Sequence, residues 1–203
     1  MVDGSLKTIK NYCRKLLSNK LSSKLSFHNL EHTELVVNGA TKIGIEEGLN
    51  AKECEIIIIA AWFHDTGFIE SYNNHELASS MIAKDKLKEL GYPKKVINEV
   101  ISCIISTSVD SDLNNHLQEV LHDADSIHLS LDNYWKWNER LKKEIRYFEN
   151  NNLRADQWYF QNLQFLKNHQ YFTSYGQNVL EPLKQLHLST NIKKLEDLYI
   201  HVK

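Results

Sequence analysis

The sequence contains few residues that interrupt helices, with two prolines and seven glycines among 203 residues. Apolar residues otherwise recur with a helical period over long stretches. Because Pro and Gly are the main local breakers of helices, their scarcity predicts helices joined by short connections, with few strands. The expected fold class is therefore all-α.

Cysteine is also scarce. Cys13, Cys54 and Cys103 are far apart and form no Cys-x-x-Cys pair, which argues against a disulfide framework and against a zinc-thiolate site. Isolated thiols of this kind are typical of a reducing compartment, so a cytoplasmic protein is expected.

Long apolar runs and strong net charge are absent as well. The longest apolar run, residues 56–63, is too short to span a bilayer, and residues 1–10 carry charges where a signal peptide needs an apolar region. A formal net charge of −2 gives no general attraction to nucleic acid or to anionic membranes. We interpret the basic residues near the N-terminus as a solvated helix face rather than a polyanion-binding arm. Neither a membrane nor a nucleic acid is an expected partner.

The apolar periodicity predicts ten helices. They span residues 5–20, 29–48, 51–65, 74–90, 93–107, 115–124, 131–151, 154–169, 176–188 and 191–201. The four isoleucines at 56–59 would suit a strand by propensity, but their flanking alanines and charged residues favour a helix buried on all sides.

Candidate metal ligands lie in three separate segments. A buried helix is expected to end in His64 and Asp65, while His32 lies near a helix start upstream and Asp125 lies downstream. A cation must collect its ligands from several elements, since only two or three side chains of one short segment can point at a common ion. These four residues would supply two nitrogens and two oxygens and leave positions for water and a substrate oxygen.

Each of these residues has a structural alternative. A histidine at a helix start is often a cap or a hydrogen-bonding residue, and His64 would also be favoured at a helix C-terminus by the helix dipole. Asp123 could cap the next helix or be the ligand in place of Asp125. The presence of all three segments in one chain favours the metal site.

The ordered segments resemble those of the HD superfamily of metal-dependent phosphohydrolases. Residues 27–32 (Phe-His-Asn-Leu-Glu-His), 60–67 (Ala-Ala-Trp-Phe-His-Asp-Thr-Gly), 75–79 (His-Glu-Leu-Ala-Ser) and 123–125 (Asp-Ala-Asp) are similar to the family's successive motifs. In the last motif the second aspartate is normally the ligand, which favours Asp125. The resemblance covers about residues 27–130, and it implies an HD-domain helical bundle that hydrolyses phosphate esters or anhydrides, commonly of nucleotides.

The resemblance also implies roles for individual residues. A divalent ion, such as Mn²⁺, Mg²⁺ or another transition metal, would be held by His32, His64, Asp65 and Asp125 and would activate a water against phosphorus. Asp65, or a carboxylate beside it, would take the proton. His28, His75 and Lys84 are the candidates for binding phosphate or protonating the leaving oxygen, with His75 favoured because it follows the metal motif within one loop.

The sequence departs from two branches of the family. The alarmone-hydrolysing members carry a Glu-Asp pair where this chain has Phe68 and Ile69, so that activity is not expected. The His-His pair of the two-metal branches is also missing, which favours a mononuclear site. His75, His122 and His128 leave a second metal open.

We expect one domain over residues 1–203, with a metal-binding core at about 27–130 and a C-terminal helical extension at about 131–203. Twelve of the twenty aromatic residues lie in residues 134–175. Packing of Tyr147, Phe148, Trp158 and Phe165 against the core is one explanation. A wall that stacks on a nucleobase, or the surface of a homodimer, is the other.

These observations predict a metal-dependent phosphohydrolase for a nucleotide or another small phosphate compound. The alternative is a nucleotide-binding or signalling module with the same fold and negligible turnover. A nuclease is a third option, and it would require the basic N-terminal helix to border the cavity.

Overall fold

This computed structural model describes residues 2–108 and 111–200, with side chains for residues 5–108 and 111–197. The described residues form nine α-helices and contain no strand. The helices are α1 (Val2–Lys20), α2 (Leu30–Glu46), α3 (Ala51–Phe63), α4 (His75–Glu89), α5 (Lys94–Ile105), α6 (His116–Asp125), α7 (Tyr134–Phe148), α8 (Ala155–Asn168) and α9 (Glu181–Ile200). Two 3₁₀ turns, Thr66–Ile69 and Ser126–Ser130, and a π turn, Gly176–Leu180, lie between them. The all-α prediction is confirmed.

Helix α3 lies at the centre of the core. It begins with a capping box, in which the Asn50 side chain accepts from the backbone of Lys52 and Glu53 while the Glu53 carboxylate accepts from the Asn50 N–H. In its apolar run, residues 56–63, every residue except the half-buried Ile58 is buried, and α1, α2, α5 and α6 pack around it. The predicted helix over the isoleucine run is confirmed, although Ile58 shows that it is not buried on all sides, and its burial holds the C-terminal end of α3 in a fixed position.

The C-terminal helices form a second, smaller apolar cluster around Leu129, Tyr134 and Leu166. A buried polar network lies beside it, since Asn138 and Asn162 bond to each other and the Trp158 indole N–H donates to Asn138 Oδ1 at 2.8 Å. This network joins α7 to α8, so the two helices present one common face.

The last two predicted helices, 176–188 and 191–201, are one. The expected break at residues 189–190 is absent, and the hydroxyls of Ser189 and Thr190 donate to the carbonyls of Gln185 and Leu186, one turn earlier in α9. Pro182, which lacks a backbone N–H, lies just after the π turn Gly176–Leu180, where the helix is locally widened. The predicted end at residue 201 lies outside the described residues.

None of the helices in the described residues has the length and apolar character needed to cross a membrane.

Candidate metal centre and cavity

The N-terminus of α2 positions His32. The Asn29 side-chain oxygen accepts from the backbone N–H groups of Glu31 and His32, at 2.9 and 3.2 Å, and so caps the helix one turn before the imidazole. The His32 ring is 1% exposed and packs against Phe27, with ring centroids 4.8 Å apart. This packing directs the His32 imidazole into the interior.

The C-terminal end of α3 delivers His64 and Asp65 together. His64 keeps helical backbone angles, whereas Asp65 leaves the helix with φ −105° and ψ 4°. Since successive helical side chains point about 100° apart, this departure lets the carboxylate turn toward the imidazole. His64 Nδ1 lies 2.8 Å from the Ala61 carbonyl oxygen, to which it can only donate. A neutral His64 therefore has its lone pair on Nε2, facing Asp65.

The structure separates the roles of Asp123 and Asp125. The Asp123 carboxylate is fully buried and accepts from the backbone N–H groups of Phe172 and Thr173 and from the Thr173 hydroxyl, at 2.7–3.2 Å. It holds the loop after α8. The Asp125 carboxylate, at the end of α6, lies beside the histidines instead, with Oδ1 3.0 Å from His32 Nε2. Asp123 thus serves as a structural acceptor, and Asp125 is the aspartate that joins the histidines.

The donor atoms of His32, His64 and Asp125 are close enough to share one ion, and Asp65 lies beside them. His64 Nε2 lies 3.4 Å from His32 Nε2, 3.4 Å from Asp125 Oδ1 and 3.2 Å from Asp65 Oδ2. Two ligands about 2.1 Å from an ion and at right angles lie about 3 Å apart, so these separations fit a first-row divalent cation. In addition, Asp65 Oδ2 is buried and receives no hydrogen bond from any described residue. The donor set therefore fits a metal.

The pKa shifts within the cluster also fit a bound cation. Burial by itself would raise the pKa of Asp65 and Asp125, but the adjacent His64 outweighs it and holds the pKa of both carboxyls below their usual value. Burial would lower the pKa of His64, yet the two carboxylates raise it well above its usual value. Buried carboxylates require positive charge beside them, which a proton on His64 or a cation supplies.

A second group of rings lies beside the ligands. Phe68 stacks on two imidazoles, 3.8 Å from the His75 ring and 4.5 Å from the His28 ring, and these two rings are 6.1 Å from each other. His75 Nε2 lies 3.6 Å from Asp65 Oδ1. Burial lowers the pKa of His75, so a neutral imidazole borders the carboxylate.

Sequence reasoning missed Glu144, which holds His28. The Glu144 side chain is fully buried, bonds to His28 Nδ1 and also accepts from the backbone N–H groups of Phe27 and His28, at 2.8 and 3.2 Å. Burial alone would lower the pKa of His28, but the bond to Glu144 and the nearby carboxylates raise it. The available signal was its position seven residues after Trp137, on the apolar face of α7.

A cavity of about 610 Å³ opens beside these residues. From the predicted site, Asp65, Asp125, His28 and His75 line it, whereas Lys84 is exposed on α4 and does not. The remaining lining residues come from the neighbouring loops and helices: Phe27, Glu76, Thr107, His122, Ser126, His128, Leu141, Phe165, Asn168, His169, Gln170 and Phe172.

Some aromatic residues of 134–175 are packed inside the protein, whereas others are exposed. Trp158 is buried and Phe148 stacks on Tyr72 with centroids 4.3 Å apart, as packing predicts. Tyr147 and Phe165 are 58% and 51% exposed, so their predicted packing against the core is wrong. Phe165 lies on the cavity wall, near the C-terminal end of α8.

Within the described residues, only His32, His64 and Asp125 form a group of three or more donors compact enough for a metal, with Asp65 beside them. His75, His122 and His128 do not form a second such group. Burial and the nearby His32 lower the pKa of His128 to about 4.

Comparisons with known proteins place the fold. No protein-family model matches the chain, and no curated protein matches its sequence. Two solved structures match over nearly the whole length. One is described as a predicted HD superfamily hydrolase from an uncultured Thermotogales bacterium, with 16% identity, a TM-score of 0.58, and coverage of 97% of this chain and 92% of that one.

The other solved structure is a structural-genomics target from Lactobacillus plantarum, with 15% identity, a TM-score of 0.69, and coverage of 99% of this chain and 98% of that one. At such identities the likeness concerns the fold. The match spans the C-terminal helices as well as the helices that carry the candidate ligands. This chain therefore shares its helical fold, over nearly its whole length, with a structure described as a predicted HD superfamily hydrolase.

Proposed function

We propose that this protein is a metal-dependent phosphohydrolase that acts on a nucleotide or another small phosphate ester or anhydride. The observation that carries the proposal is the convergence of His32, His64, Asp65 and Asp125 from three helices, with Asp65 and Asp125 on the wall of a cavity. The fold neighbour described as a predicted hydrolase supports the same class.

The cavity suits a small phosphate compound. Its volume of about 610 Å³ lies within the range of small-molecule sites, about 300–1,000 Å³. None of the described residues that line it is Lys or Arg. The charge of a phosphate group would therefore be balanced by the cation and by His28.

The candidate site residues have different proposed roles in hydrolysis. His32, His64, Asp65 and Asp125 would hold the ion, which when bound supplies a Lewis acid for phosphate and for water. His28 is fixed through Nδ1 by Glu144, so its other ring nitrogen is left for a phosphate oxygen. His75, which is neutral and adjacent to Asp65, can take up a proton released at the site. Phe68 stacks on both imidazoles and so helps to hold them in position.

We also infer a cytoplasmic location and a single metal ion per chain. The location rests on the cysteines, since Cys13, Cys54 and Cys103 are all free thiols. The stoichiometry rests on the single compact donor group among the described residues.

The test combines metal analysis with hydrolysis. We expect the purified full-length protein to bind about one divalent ion per chain and to release phosphate or pyrophosphate from members of a nucleotide and phosphomonoester panel supplied with Mn²⁺ or Mg²⁺. Asp125→Ala should lose the ion and reduce turnover about a hundredfold or more, since even outer partners of a metal site are worth 10–100-fold. Asp85→Ala, an exposed aspartate on α4, is the matched control.

Two results would count against the proposal. If Asp125→Ala and Asp85→Ala retained equal metal content and turnover, the four residues would not form the working site. If the wild-type protein bound metal and nucleotide but hydrolysed nothing in the panel, a nucleotide-binding module would be the better assignment.

A further inference from the structure

The cavity wall contains a polar group that the proposed reaction does not use. His169 follows the end of α8, and His122 lies on α6, with their rings 6.3 Å apart and nearly parallel. Both line the cavity that contains Asp65 and Asp125. Neither belongs to the compact donor group of the metal centre.

Lys184 fixes the tautomer of His169. The Lys184 side chain is 1% exposed, and Nζ lies 2.6 Å from the His169 carbonyl oxygen, 3.3 Å from His169 Nδ1 and 2.9 Å from a Glu181 carboxylate oxygen. An ammonium group can only donate hydrogen bonds, so Nδ1 must accept. The proton of a neutral His169 ring is therefore on Nε2.

The ring also stays neutral. Burial, together with the adjacent Lys184 charge, lowers the pKa of His169 to about 3. At neutral pH the His169 ring is therefore an uncharged hydrogen-bond donor with its N–H on Nε2. His28, on another part of the same wall, differs because its pKa is raised.

Nε2 of His169 is buried and has no hydrogen-bond acceptor among the described residues. A buried N–H without an acceptor is unfavourable, so such a group in a cavity wall calls for an acceptor from outside the chain. Two aromatic rings lie nearby on the wall: Phe165, 5.9 Å from the His169 ring, and Phe172, 5.1 Å from the neighbouring His122 ring. These rings are 51% and 42% exposed, so each has a free face.

We propose that His122, Phe165, His169 and Phe172, here called the α8 wall, bind the leaving group of the substrate, with His169 as a specificity-determining donor. The leaving group would be uncharged and planar, and it would carry a carbonyl oxygen or ring nitrogen that accepts from His169 Nε2–H. Aromatic faces favour a planar group, and the absence of Lys and Arg among the described lining residues disfavours further negative charge. This inference rests on the proposed phosphohydrolase function.

The kinetic test uses two substrates, uridine 5′-monophosphate, which has acceptors on a planar ring, and phenyl phosphate, whose ring has none. His169→Phe keeps a ring but removes the donor. We expect it to lower kcat/KM for uridine 5′-monophosphate about tenfold, as for loss of one hydrogen bond, and to leave phenyl phosphate within about twofold. His169→Gln, which retains an N–H donor, should lose less. His116→Phe, at an exposed histidine on α6, is the control.

Equal loss on both substrates, or no loss on the uridine compound, would overturn the inference. The first result would mean that His169 has a structural role or bonds to water. The second would mean that the donor meets no substrate atom.

A measurement without turnover separates this inference from the proposed function. Nitrogen-15 NMR of histidine-labelled protein at pH 7 should show His169 neutral with its proton on Nε2, and millimolar uridine should shift the Nε2 resonance in wild-type protein and in Asp125→Ala. A proton on Nδ1, a charged ring or an unchanged resonance would refute the α8 wall even if hydrolysis is confirmed. The expected shift in a protein without phosphatase activity would support the α8 wall and contradict only the hydrolase.

Discussion

Glu144 is a buried carboxylate whose partners all belong to one loop before α2. It bonds to the His28 ring and accepts from the backbone N–H groups of Phe27 and His28. These two residues precede His32, so Glu144, on a helix of the C-terminal extension, supports the loop that leads to the candidate metal ligands. Its role is positioning, since it acts on the site through His28.

Replacement of Glu144 should therefore destabilise the protein and impair the site. Glu144→Ala leaves two backbone N–H groups without an acceptor, and we expect the free energy of unfolding to fall by about 2–4 kcal/mol. Urea denaturation measures the loss. Glu139→Ala, at an exposed position on the same helix, should change it by less than about 0.5 kcal/mol. Equal effects of the two substitutions would show that the buried contacts contribute nothing.

At the scale of elements, the turn after α3 and the start of α4 are packed backbone to backbone. Gly67 donates its N–H to the Ser79 hydroxyl at 2.8 Å. A Cβ at Gly67 would lie 2.0 Å from the His75 carbonyl oxygen and 2.6 Å from the Ser79 nitrogen. This contact sets the distance between Asp65 and His75, because each lies within a few residues of it.

We expect Gly67→Ala to destabilise the fold by at least about 2 kcal/mol, since backbone atoms of α4 must move to admit a methyl group. Turnover should fall as well, because the shift carries His75 away from Asp65. Thermal unfolding and phosphate release measure the two effects. Gly39→Ala within α2 is the comparison.

A methyl group at Gly39 would be crowded by the end of the Ile127 side chain alone, at 3.0 Å, and would make ordinary contacts with Ala124 at 3.5 Å. The helix propensity gained on replacing Gly by Ala offsets that crowding, so a change smaller than about 1 kcal/mol is expected. If Gly67→Ala were as stable as Gly39→Ala, the close packing of the turn on α4 would not be required.

At the scale of the whole molecule, the core and the C-terminal extension are linked by polar contacts at several places. Asp123 of the core accepts from Thr173, the Tyr171 hydroxyl donates to the Ser126 carbonyl oxygen at 3.1 Å, and Glu47 accepts from the Tyr175 N–H at 2.6 Å. Buried groups on one side depend on partners from the other. We propose that residues 1–203 unfold as a single domain.

Tryptophan fluorescence can test this. Three tryptophans lie in the extension, Trp135, Trp137 and Trp158, and Trp62 lies in the core. In a Trp62→Phe variant, fluorescence reports the extension alone while far-UV circular dichroism reports all helices. The two urea midpoints should coincide, as in a two-state transition. A lower midpoint for fluorescence would show that the extension unfolds separately.

The sequence by itself determined the local features of this protein. Helices, the Asn29 cap and the end of α3 at His64 and Asp65 follow from residues within one or two turns of each other, because propensity, capping and apolar period act over that range. Order along the chain was enough to select His32, His64, Asp65 and Asp125 as candidate ligands.

Tertiary structure decided what depends on partners far apart in sequence. Phe27 and Glu144 are separated by 117 residues, and Asp123 and Thr173 by 50, so no local pattern could reveal that one carboxylate holds the His28 loop and another the loop after α8. The tautomer of His169 likewise depends on Lys184 of another helix. Burial and pairing of a polar side chain are set by the atoms that surround it in the folded molecule, and only packing brings those atoms together.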